Sequence, residues 1–226
     1  MRELPMFPLG TVLFPHMVLP LHVFEPRYRA LLDDVLADGG EFGVVLISRG
    51  HEVGGGDVRT DVGTVARILR AEELDEDRWF VIAVGTRRFR VEGWLPDDPY
   101  PRAEVVDLDD DPFGEHDDEV AGASPDPDLD AAVDDEVTAA LTALTPGLRR
   151  VLALQAELGQ DNVPATFELA EDPEVATWQT AILSPLTAFD AQRVLTTDDR
   201  LERLGLIAGF LDDIEATLRF QLAQDE

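Results

Sequence analysis

The chain contains no cysteine and no lysine, so all 18 of its basic side chains are arginine. Without thiols there is no disulfide, no thiolate nucleophile and no cysteine-rich zinc site. Without lysine there is no Walker-type phosphate loop, no Schiff base and no serine–lysine dyad. Serine is scarce as well. Ser48, Ser124 and Ser184 are the only ones, and none stands in a G-x-S-x-G turn. Ser184 precedes a proline, where a helix stop explains it. Positive charge is the remaining shortage: 47 acids give a formal net charge of −29. Such a surface repels phosphate backbones and anionic membranes. The densest basic cluster is Arg87, Arg88 and Arg90, yet even residues 1 to 102 hold 17 acids against 12 arginines. RNA binding through that cluster is therefore disfavoured, and no nucleic acid or membrane partner is expected.

What is present begins with LPMFPLGTVLFPHMVLPLHVF, residues 4 to 24, which has no formal charge between Glu3 and Glu25. Its length would permit a membrane helix, but Pro5, Pro8, Pro15 and Pro20 would break one repeatedly, and lipid offers the freed carbonyls no partner. Arg2 is followed at once by Glu3, and no small-residue cleavage site follows, so a signal peptide is not expected. The stretch reads as extended chain in a soluble, cytoplasmic protein.

Residues 1 to 108 read mostly as strands. EFGVVLISR (41–49) is a compact buried run, and VGTVARILRAEEL (62–74) alternates inward and outward positions. RWFVIAV (78–84) and RRFRVEGWL (87–95) flank Gly85-Thr86, a hairpin-type signal, with Arg88 and Arg90 facing water. RAEVVDL (102–108) closes the set. One helix starts at Pro26 and ends at Gly39-Gly40, with Tyr28, Leu31, Leu32 and Val35 on its apolar face. This pattern suggests a small, partly open barrel. Residues 109 to 128 read as an acidic flexible linker or loop, and residues 129 to 226 as a helical bundle. Within the bundle, Thr145-Pro146 and Asp172-Pro173 read as helix starts. The last and longest helix carries Leu204, Leu211 and Leu218 on one stripe. The fold class is thus α+β, a β-barrel followed by an α-helical bundle.

No constellation for catalysis, cofactor or metal stands out. His16 and His22 lie six apart across a proline, which fits no helical ligand pair. DDDPFGEHDDEV starts like a calcium loop at Asp109 but has Phe113 and Val120 where oxygen ligands belong. Gly54-Gly55-Gly56 lacks a following basic residue and reads as a loop. An enzyme is not expected.

MFPLGTVLFPHMVLPLHVFEPRYRALL (6–32) resembles the start of the Lon protease substrate-binding domain family, whose pattern is P-L-F-P-L, then F-P-x-x-x-L-P-L, then I-F-E-P-R-Y. Phe7-Pro8-Leu9, Phe14-Pro15, Leu19-Pro20-Leu21 and Phe24-Glu25-Pro26-Arg27-Tyr28 fall in place, with Met6 where leucine is usual and His16 where glycine is expected. The similarity continues at Val62-Gly63-Thr64-Val65-Ala66, Gly85-Thr86-Arg87-Arg88-Phe89, Gln192-Arg193-Val194-Leu195 and Arg200-Leu201. It implies a PUA-like pseudo-barrel before the bundle, and a stand-alone member. In the full protease an ATPase and a serine–lysine peptidase follow, and neither is expected in a lysine-free chain ending at Glu226.

The resemblance implies a non-catalytic module that binds exposed or unfolded polypeptide, with no cofactor. The candidate peptide-binding residues are Phe14, His16, Met17, Leu19, Trp79 and Trp94. Phe14, Met17 and Leu19 are equally readable as core. The alternative is an adaptor for a protease or another protein, docking through the Leu204, Leu211 and Leu218 stripe.

Overall fold

The computed structural model describes residues 1–49, 58–74, 78–108, 127–160 and 163–225. The chain divides into two compact units, Met1–Glu115 and His116–Glu226. The expected acidic linker falls largely outside the described residues, as do the calcium-like stretch at 109–120 and the glycine run at 54–56.

The first unit holds β1 (Arg2–Leu9), β2 (Val18–Val23), α1 (Pro26–Ala37), β3 (Glu41–Arg49), β4 (Val58–Leu74), β5 (Arg78–Trp94) and β6 (Arg102–Asp107). The sheet order is β2-β5-β4-β3-β1-β6, and β5 pairs again with β6. That second pairing closes a ring of β5, β4, β3, β1 and β6. β2 remains outside it, hydrogen-bonded to the early half of β5 alone. The result is a pseudo-barrel with one open edge.

Both faces of the central strands are covered, which is why β1 and β3 read as near-continuous apolar runs. Leu4, Met6, Val45, Val65, Phe89, Val91 and Val105 form one cluster within the ring. On the other face, Phe7, Leu9, Phe42, Val44, Val81 and Ala83 pack beneath Tyr28, Leu31, Leu32 and Val35 of α1. Phe7 and Tyr28 stack with ring centroids 4.1 Å apart. Pro26 opens α1, and Gly39 and Gly40, at φ +80° and +78°, end it as expected.

Gly85-Thr86 is not a hairpin. β5 runs straight through it as a single 17-residue strand. The glycine serves a close approach instead: a Cβ there would lie 2.2 Å from the Phe14 carbonyl oxygen. The crossing segment between β1 and β2 docks at this point, with the His16 amide donating to the Gly85 carbonyl (2.8 Å) and the Gly85 amide donating to the Met17 carbonyl (2.9 Å). His16 sits at φ +63°, a left-handed backbone that favours glycine and explains why glycine is expected there.

The second unit contains α2 (Pro127–Glu157), α3 (Pro173–Leu183), α4 (Ala188–Thr196) and α5 (Arg200–Asp225). Asp172 caps α3, accepting from the Glu174 and Val175 amides. Pro146 does not start a helix, since α2 continues through it. Buried Val137, Leu141, Leu144, Leu148 and Val151 repeat at four- and three-residue steps on both sides of the proline. Their shared burial outweighs the lost backbone bond. Leu204, Leu211 and Leu218 are likewise 2%, 2% and 5% exposed. The stripe is therefore mostly internal core of this unit, and Leu204 and Leu211 reach the surface only at the floor of a trough. Trp178 is fully buried beneath the Arg203 guanidinium, 3.8 Å from the ring centroid.

Candidate functional site

β2 follows from its own sequence. In V-L-P-L-H-V successive side chains take opposite faces, so Leu19, Leu21 and Val23 turn inward while Val18, Pro20 and His22 turn outward. No charged residue occupies the outward positions. Phe24 comes next and is 59% exposed. The register sets Val18 opposite Val84, Pro20 opposite Ile82 and His22 opposite Phe80. Those three β5 residues are half-buried, while their neighbours Val81 and Ala83 are fully buried. The His22 and Phe80 rings lie 5.0 Å apart.

A ladder irregularity between Ile68 and Arg70 lies at Leu69, which is 61% exposed on the strand beside β5. Two strands thus present one outward apolar row, and a third carries a further exposed leucine. The β4 residues opposite Phe80, Ile82 and Val84 are Glu72, Arg70 and Arg67, so the row is bordered by charge on that side.

At the open edge of β2, a cavity of about 210 Å³ lies between β1 and β2, lined among others by Phe7, Leu9, Leu21, Val23 and Tyr28. Its walls include Pro8 and Pro20, neither of which has an amide to donate. An incoming strand would find a donor-poor edge. Side-chain contact with the apolar row is the better-supported mode.

The six residues expected from sequence do not converge on one surface. Phe14 and Leu19 are core, 4% and 6% exposed, Phe14 because the crossing segment docks on β5 and Leu19 because it takes the inward face of β2. Met17 and Trp79 are half-buried against the α1-covered cluster. Trp94 packs on the ring cluster, with the Arg59 guanidinium 4.6 Å from its ring centroid. Trp79 and Trp94 occupy opposite ends of β5, up to roughly 50 Å apart at the usual rise of a straight strand. His16 adjoins the row through its backbone. Val18, Phe24 and Leu69, which are exposed, and half-buried Ile82 were not among the residues expected from sequence. The signal was available in the charge-free alternation through VLPLHVF, which leaves every second residue outside.

The arginine cluster also differs from expectation. Arg88 is 2% exposed rather than facing water, and Arg87 donates to Glu41 (2.8 Å) and Asp107 (3.0 Å). Glu41 also accepts from Arg67 at 3.2 Å and lies 3.6 Å from Arg2. Burial opposes the charge on Glu41, but hydrogen bonds and charges from these arginines outweigh it and hold its carboxyl below the ordinary value. Arg87 and Arg88 are thus drawn into the barrel, while Arg90 faces water as expected. Burial, then a 2.6 Å hydrogen bond to Asp34, pushes the Tyr100 hydroxyl up to about 12.

Among the described residues no group of three or more histidine or carboxylate side chains is placed to hold a metal ion, and no helix is long and apolar enough to cross a membrane.

Comparison with known proteins gives a consistent result. The ATP-dependent protease La (LON) substrate-binding domain profile matches residues 3–213. Lon protease 2 of Myxococcus xanthus is 38% identical over 112 residues, which are 48% of this chain and 13% of that protein. Lon protease of Syntrophus aciditrophicus (strain SB) is 25% identical over 207 residues, 89% of this chain and 24% of that protein. The chain therefore spans only a minor part of the length of these relatives. Among solved structures, the Lon N-terminal domain protein from Xanthomonas campestris superposes with TM-score 0.58 and 26% identity, covering 92% of this chain and 98% of that one. The N-terminal domain of Mycobacterium avium complex Lon protease shares the fold at TM-score 0.57 and 19% identity, covering 94% of this chain and 99% of that one.

Proposed function

Since the chain belongs to the ATP-dependent protease La (LON) substrate-binding domain family, we propose that it is a non-catalytic, cytoplasmic module that binds exposed apolar segments of unfolded polypeptide. One observation carries this reading. The outward row of Val18, Pro20, His22 and Phe24 beside Phe80, Ile82 and Val84 is apolar apart from His22 and carries no carboxylate, although the chain is strongly acidic. A flat apolar row discriminates by hydrophobic content, not by detailed shape, which suits ligands of varied sequence. Contact with it removes apolar area from water at about 25 cal/mol per Å². The surrounding negative charge keeps the module soluble and disfavours acidic ligands.

The test is fluorescence anisotropy of the whole chain against an unfolded protein, apolar peptides, scrambled acidic controls and a short RNA. Micromolar binding to the unfolded and apolar ligands, little changed by salt, is the expected result. Ile82→Asp places a charge in the row and should weaken that binding at least tenfold. Phe24→Ser provides a second variant whose fold is not at stake. Undiminished binding by both variants would overturn the assignment of this surface. Binding of RNA alone would overturn the function.

A further inference from the structure

The second unit carries a groove that the apolar row does not use. α2 and α5 run parallel, since Asp134 accepts from Arg200 (2.9 Å) near one end and Glu215 accepts from Arg150 (3.2 Å) near the other. The sequence offset is 66 at the first pair and 65 at the second. This brings Ala140 level with Gly205, Ala143 with Ala208, and Gly147 with Asp212. Small side chains at these levels leave an open trough of about 420 Å³, and Leu144, Leu204 and Leu211 also line it. Without bulky walls, a third helix can approach closely.

Arg150 also lines the trough but is paired with Glu215, so the unpaired charge around it is negative. Arg200, Arg150 and Arg219 are engaged by Asp134 and Glu215. Glu136, Glu202 and Asp212 are exposed and have no cationic partner among the described residues. Glu136 and Glu202 stand at one end, and Asp212 about 16 Å further along at the α-helical rise. Residues 116 to 226 hold 24 carboxylates against 6 arginines, a net of −18. A second copy would meet like charge.

We propose that this groove docks an amphipathic helix from another protein, with a leucine-bearing face and lysines or arginines about eleven residues apart. Apolar knobs fill the trough, and the partner's cations reach Glu136 and Glu202 at one end and Asp212 at the other.

The test uses the whole chain and a labelled, leucine-faced helical peptide of about 18 residues, in one version with arginines at the two flanking positions and in another with glutamates. The arginine version should bind at least tenfold more tightly, and added salt should narrow the gap. Gly205→Leu fills the trough. A Cβ there meets nothing within 4 Å, so the fold should be retained, with an unchanged urea midpoint as the check, and binding should fall at least tenfold. Ala153→Leu, an exposed change elsewhere on α2, should leave affinity within twofold. Glu136→Gln, Glu202→Gln and Asp212→Asn combined should erase the preference for arginine. Equal binding of both peptides, full binding by Gly205→Leu, or self-association of the chain in sedimentation would each overturn the proposal.

Discussion

The first unit leaves apolar side chains outside, at Val18, Phe24 and Leu69, whereas the second turns its leucines inward and meets water largely with carboxylates. The difference follows from period. A strand shows alternate residues to opposite faces, so a charge-free extended run cannot hide more than half of itself unless both faces are covered. In β1 and β3 both are. In β2, at the edge, only one is. A helix sorts its residues every 3.6 positions and can collect an apolar stripe on one side, as α2 and α5 do. Phe189 and Phe220 are exposed in the second unit, but on different helices, and isolated apolar residues on a surface are ordinary.

The contrast can be broken most severely at the docking point of the crossing segment. Gly85→Val should cost about 4 kcal/mol or more, although valine suits a strand, because its Cβ would meet the Phe14 carbonyl oxygen at 2.2 Å. A urea midpoint close to wild type would show that the crossing segment is not held there. In the second unit the local rule and the tertiary fold disagree at Pro146. Pro146→Ala should raise stability by about 1–3 kcal/mol by restoring a backbone donor within α2. A lowered melting temperature would mean that the ring itself packs.

Glu41→Gln removes the negative charge and one of the two oxygens that accept from Arg87 and Arg67 and should cost about 1–2 kcal/mol at pH 7, less than a fully buried pair because the site is part-exposed. The sign with pH is defined. The folded-state pKa of Glu41 is lowered from 4.5, so its contribution is present above that value and is lost as pH falls through the folded one. Urea midpoints of wild type and variant should converge as pH is lowered below the ordinary glutamate value. A gap that persists there would assign the effect to packing. The smallest effect on stability belongs to the exposed row. Phe24→Ser should shift unfolding by no more than about 0.5 kcal/mol while weakening peptide binding, and a large loss of stability would make Phe24 a structural residue.

Much of the architecture was legible from local chemistry. The prolines of residues 4–24, the Pro26 start and Gly39-Gly40 stop of α1, and the Asp172 cap of α3 each declare themselves because a missing donor, a positive φ or a capping oxygen acts within a few residues. The site was less legible. Phe14 and Leu19 are apolar in sequence in the same way as Val18 and Phe24, and only the pairing of β2 with β5 decides which are covered.

The amino-acid sequence alone determined that this is a lysine- and cysteine-free acidic chain with a strand-rich first half and a helical second half, because composition and short-range periodicity carry that information. Tertiary structure alone decided three things: that Gly85 receives a crossing backbone and is not a turn, that α2 passes through Pro146, and that Arg87 and Arg88 turn away from water. Each depends on a partner distant in sequence, whose approach sets the free energy of a position that is locally ambiguous.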